Sequence, residues 1–101
     1  MTTAQNTIEN LVKDFGYNSV EDFTRIQARN LLMQRIAYFQ GRIDFFTKKY
    51  SMTYEEFEQK WHDLTNFGII EKEDDGQNWE TSLEMTNLYD KKLAELLWQL
   101  D

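Results

Sequence analysis

Ile8, Leu11, Val12 and Phe15 recur at the i, i+3, i+4, i+7 spacing of one helical face. Gly16 follows at the position where a left-handed residue ends a helix. Ser19 then reads as an N-cap, with Asp22 three residues on. From Val20 to about Tyr50 nothing stops a helix. Within it Leu32, Ile36, Phe39, Ile43, Phe46 and Tyr50 alternate by four and three, which is a heptad seam. Leu31, Tyr38 and Phe45 form a second row beside it. The apolar surface is therefore wider than a two-stranded seam and suits a bundle. Gly41 is the weak point, costing about 1 kcal/mol against alanine, and is read as room for a neighbouring helix.

The third segment opens on Thr53, with Glu56 at N3, a T-x-x-E capping box; Met52 and Phe57 fit the accompanying hydrophobic staple. Tyr54, Phe57, Trp61 and Leu64 make one helical face, ended by Asn66-Phe67-Gly68. Ile69-Ile70 reads as a short extended piece pinned to the core, and residues 71–76 as a charged turn. A last helix is expected from Asn78 or Trp79 to Leu100, with Trp79, Leu83, Tyr89, Leu93, Leu96, Leu97 and Leu100 on its apolar side. The fold expected is all-α: an elongated helical hairpin or bundle of about four helices with one long central helix, in a single domain over 1–101. Elongation follows from size. A 31-residue helix spans about 46 Å, whereas a compact chain of this length has a radius of gyration near ~13 Å.

Composition narrows the chemistry. The 101 residues contain no cysteine and no proline. Disulfide frameworks, zinc–thiolate sites and cysteine nucleophiles are thereby excluded. No apolar run approaches the ~18 residues of a membrane span, and the first residues carry neither a basic nor an apolar leader segment. The expected location is the cytoplasm, with no membrane partner. Charge divides along the chain: residues 1–50 carry seven Lys/Arg and five Asp/Glu, residues 51–101 four and thirteen. A weakly basic helical half precedes an acidic, partner-binding half, and such asymmetry accompanies distinct binding surfaces.

No catalytic constellation is visible, so the chain is read as a non-enzyme without cofactor or metal. His62, the single histidine, has only Asp63 as an acidic neighbour in sequence, and adjacent helical residues point apart. Glu71, Glu73, Asp75 and Gly76 fall at positions 1, 3, 5 and 6 of an EF-hand-like loop, but position 12 is Ser82 rather than the closing glutamate. Arg25 and Arg29, one turn apart, are candidate phosphate contacts. Pairing with the acidic half is preferred for them, because the net charge of −7 repels DNA; DNA stays open as a partner but is not favoured. Trp79 reads equally as an anchor of the charged turn or as an interface hot spot.

The run Lys48-Lys49-Tyr50-Ser51-Met52-Thr53-Tyr54-Glu55-Glu56-Phe57-Glu58-Gln59-Lys60, then an acidic stretch, then Asn78-Trp79-Glu80 opening a leucine-bearing helix, resembles small acidic helical antitoxins of type II toxin–antitoxin pairs. Their pattern is roughly K-x-Y-G-M-S-x-E-E-F-E, an acidic spacer and W-E; Ser51 stands at the glycine position. The resemblance covers about Leu31 to Leu88. It implies a partner that is a basic, toxin-like protein, with Glu73, Asp74, Asp75 and Glu80 in place of phosphates and Trp79 and Leu83 as apolar anchors. It also implies a homo-oligomer, a dimer being favoured, for which Leu32, Ile36, Phe39, Ile43 and Phe46 are the candidate seam. Residues 15–25 are similar to the helix joint of ribbon-helix-helix repressors, which read DNA with a strand before the first helix. Two other classes stay open: an acidic nucleic-acid-mimicking inhibitor, and a structural helical oligomer.

Overall fold

The computed structural model describes residues 3–99, with side chains placed over 6–98. Four α-helices follow in order: α1 (Thr3–Asp14), α2 (Val20–Tyr50), α3 (Tyr54–Gln59) and α4 (Ile69–Gln99), with a single 3₁₀ turn at Trp61–Asp63. α2 and α4 lie antiparallel: Tyr50 meets Asp75, Phe46 stacks on Trp79 and Phe39 on Tyr89. α3 and the 3₁₀ turn close one end of this hairpin, and α1 sits against the start of α2 at the other. The radius of gyration is 20.6 Å and the extents are 64 × 26 × 19 Å, far from the ~13 Å of a compact chain. Leu100 lies outside the described residues.

Local signals set most element ends. Gly16 takes φ +93. Its N–H bonds the Lys13 carbonyl while that of Tyr17 bonds Val12, the paired bonds of a Schellman stop. Ser19 accepts from the Asp22 N–H at 3.0 Å. Thr53 and Glu56 form the full capping box, with Thr53 N–H donating to Glu56 Oε1 at 3.2 Å. α2 ends on Ser51 in the left-handed region, φ 56.

The heptad seam of α2 packs inside the chain. Phe46 and Tyr50 are buried with Phe57 and Trp79, and Ile43 packs against that cluster. Leu32, Ile36 and Phe39 are half-buried on the same side of the helix. The closed-end part of the seam, Ile43, Phe46 and Tyr50, belongs to the hairpin's own core, and Phe39 stacks on Tyr89. α4 supplies the matching row, Lys72, Asp75, Trp79, Ser82, Thr86, Tyr89, Leu93 and Leu96, each buried or half-buried and again spaced by three and four.

Several expectations are corrected. The segment 71–76 is not a turn, and Ile69-Ile70 is not extended: both belong to α4, whose first helical bond runs from Lys72 N–H to the Gly68 carbonyl. Acidic side chains in the opening turns of a helix are favoured by its dipole, and Glu71 reaches back to the Gly68 N–H at 3.4 Å. Ile69 and Ile70 are 64% and 73% exposed, so they are not pinned to the core. α3 stops at Gln59, and Trp61 and Leu64 reach the core from the tighter 3₁₀ turn and the segment after it. A Cβ on Gly41 would meet nothing within 4 Å, so no helix approaches there, and α2 passes through it unbroken. Gly76 is the close approach: a Cβ there would lie 3.2 Å from the Phe57 ring. α1 begins at Thr3, so residues 3–7 are helix where ribbon-type repressors place a strand; Met1 and Thr2 lie outside the described residues.

These three positions respond differently to substitution. Gly41→Ala should raise stability by about 1 kcal/mol, the helix propensity gain alone. Gly76→Ala should lower it despite the same gain, because Phe57 is fully buried and has nowhere to retreat. Ser51→Gly should stabilise by up to about 1 kcal/mol by relieving the left-handed serine. Thermal unfolding of the three variants checks all signs; equal shifts for the two glycine variants would contradict the assigned contact.

Candidate partner-binding surface

The closed end of the hairpin is an aromatic cluster centred on Trp79. Its ring is 1% exposed and is surrounded by Phe46, Tyr50, Tyr54 and Phe57, with centroids 5.3 to 6.0 Å away. Phe67 packs on Tyr50 at 4.6 Å from the segment before α4. Trp79 therefore anchors the acidic part of α4 to the core and has no surface to offer a partner.

Asp75 is likewise committed inside the chain. Its Oδ2 accepts from Lys49 Nζ and from Tyr50 Oη, both at 2.6 Å. Lys49 also donates to Glu71 at 2.9 Å. The ammonium is held protonated to higher pH by Asp75 and Glu71. Tyr50 is raised well above its ordinary value, first by burial and then by its bond to Asp75. The hydrogen bond from Lys49 holds Glu71 below the usual carboxylate range.

What stays outside is a narrower acidic surface. Glu73 and Glu80 are exposed on α4 and line an open cleft of about 500 Å³ against α3, together with Tyr54, Glu58, Trp61 and Gln77. Tyr54 Oη donates to Glu80 at 3.4 Å. Burial, then the charges of Glu58 and Glu80, push the Tyr54 hydroxyl up to about 12; three carboxylates and one ammonium, Lys72, line the cleft. Leu83, 37% exposed, borders a shallow groove with Thr53, Tyr54 and Glu55. Asp74 is exposed on α4 but does not line the cleft. Of the six candidate contacts, Glu73, Glu80 and Leu83 flank α3, Asp74 stands apart, and Asp75 and Trp79 are internal.

Sequence reading missed Lys72. It is 4% exposed, its Nζ donates to the Trp61 carbonyl at 2.7 Å and lies 4.0 Å from the Trp61 ring centroid. The signal was its seven-residue spacing from Trp79, masked by the acidic residues around it. His62 is exposed on the 3₁₀ turn. The helical course of residues 71–76 rules out the loop that calcium coordination at that spacing requires. Arg25 pairs with Glu21 at 2.7 Å, and Arg29 is half-buried with its Nε unbonded, so the two do not form one exposed phosphate-facing pair. No helix among the described residues is long and apolar enough to cross a membrane. Compared with protein-family models, curated proteins and solved structures, the chain matches none.

The raised tyrosine and lysine set the alkaline limit of the fold. A group whose folded pKa exceeds its unfolded value contributes fully below the unfolded value and is lost as pH rises. Stability should hold up to about pH 10, the ordinary tyrosine value, and decline above it. Tyr50→Phe should flatten that decline in denaturant titrations across pH; an unchanged slope would contradict the network.

Proposed function

We propose that this chain is an antitoxin-like protein that binds and neutralises a basic protein partner without making or breaking a covalent bond. The observation that carries the reading is the convergence of Glu58 from α3 and Glu73 and Glu80 from α4 on one aromatic-floored cleft. Arg and Lys side chains suit such a cleft: the carboxylates attract the charge, and the exposed part of Tyr54 offers a ring face for the cation, that of Trp61 being taken by Lys72. The partner surface is thereby smaller than the sequence alone indicated, consisting of Glu73, Glu80 and Leu83 with Tyr54 and Glu58 added. Because the carboxylates are on a helical scaffold closed by the aromatic cluster, little ordering is needed on binding, which favours affinity. Cytoplasmic action and neutralisation of a nucleic-acid-binding toxin belong to the same reading.

The partner to try is the product of a small basic reading frame adjacent to this one, co-expressed with the tagged chain. Co-purification that weakens at high salt is expected. The double variant Glu73→Lys/Glu80→Lys should keep its helical circular dichroism and lose at least ten-fold in affinity. A double variant that binds as well as the native chain would overturn the reading, as would failure of the native chain to bind.

A further inference from the structure

The two flanks of the hairpin are unequal. One is covered at its closed end by α3, where Phe57 meets Gly76 and Tyr54 meets Glu80. The opposite flank is marked by the Lys49–Glu71 ion pair. Counting back by sevens from Lys49 places Arg42 and Arg35 along it, and counting forward from Glu71 places Asn78, Met85 and Lys92. One step further out on α2 stand Leu31, Tyr38 and Phe45, exposed at 56%, 58% and 60%; the corresponding position on α4 is Leu88, at 43%. Arg42 lies over the Tyr38 and Phe46 rings, 6.0 and 5.6 Å from their centroids. No element of the described chain covers this row.

We propose that this flank is a homodimer interface, occupied by the same flank of a second copy. The axis runs along the hairpin, so that α2 of each copy lies antiparallel on α4 of the other and a four-helix bundle closes. Two arguments select a second copy. The first is area. The four residues leave about 400 Å² of apolar surface bare per copy, taking about 200 Å² for each full side chain. That is close to the apolar share of a standard interface of about 800 Å² per partner. The second is charge. On this flank the steps of seven place Arg35 and Arg42 on α2, and Asp74 and Glu95 with the single base Lys92 on α4. The flank is therefore self-complementary only when the two helices cross between copies. The stacked pairs Phe46–Trp79 and Phe39–Tyr89 put the level of Tyr38 between residues 87 and 90 of α4, so Leu88 lies within about 3 Å of it along the axis, and the two-fold brings each Tyr38 onto the other copy's Leu88. Arg35 and Lys48 then lie within about one helical turn of Glu95 and Asp74 of the other copy. The inference is independent of the acidic cleft, which stays open on the opposite flank.

Sedimentation of the native chain at micromolar concentration should give twice the 12.2 kDa chain mass. Tyr38→Glu and Phe45→Glu alter exposed residues. They should leave the helical signal intact, return the mass to 12.2 kDa and weaken self-association at least ten-fold. The arrangement has its own test, helped by the absence of native cysteine. A mixture of Tyr38→Cys and Leu88→Cys chains should join through a short bismaleimide into a mixed dimer. A monomeric native chain would overturn the proposal. So would glutamate variants that stay dimeric, or cross-linking confined to Tyr38→Cys chains alone.

Discussion

A helix of 31 residues cannot be folded back into a compact domain of this size, and its apolar stripe must be covered along its length. That constraint organises the molecule. α4 meets it with a second 31-residue helix of opposite direction. The pairing is strongest at one end, where Trp79 draws rings from α2 and α3 around itself. Away from that end the seam first grows polar, Ser82 turning its hydroxyl back to the Asn78 carbonyl and the Thr86 hydroxyl being buried without a bond, and then less buried, at Tyr89, Leu93 and Leu96. Antiparallel register is thus set by the aromatic end and the Lys49–Asp75–Tyr50 network, and carried outward by the heptad spacing.

The same geometry explains the residues that resemble an antitoxin pattern. Lys49 and Tyr50 bond Asp75, Ser51 takes the left-handed stop, Thr53 and Glu56 cap α3, Phe57 fills the space above Gly76, and Trp79 is the hub. Each is accounted for by closing a helical hairpin. The motif therefore speaks first to the fold, and the proposed partner surface draws on the residues left outside the core: Glu58, Glu73, Glu80 and Leu83.

Much of the architecture was legible because its signals are local. Gly16, Ser19 and Thr53 each act within a few residues, and the seam of α2 repeats often enough to declare a helix from Val20 to Tyr50. The start of α4 was not legible. Its acidic run and Gly76 have the composition of a turn. What makes them helical lies 19 to 26 residues away in Lys49, Tyr50 and Phe57. Periodicity also shows that a face is covered without showing by what: Ile43 and Phe46 of the seam are covered within the chain, by the cluster around Trp79. Trp79 illustrates the same limit: an aromatic beside acidic residues is equally an anchor or a hot spot until its neighbours are placed.

Native-state amide hydrogen exchange tests the central claim most directly, since it ranks local stability along each helix. The account predicts the slowest exchange in residues 43–50 of α2 and 72–82 of α4, around the aromatic end, with protection falling toward α1 and the last turns of α4. Protection greatest over 20–30 and 90–99, or uniform along both helices, would contradict it.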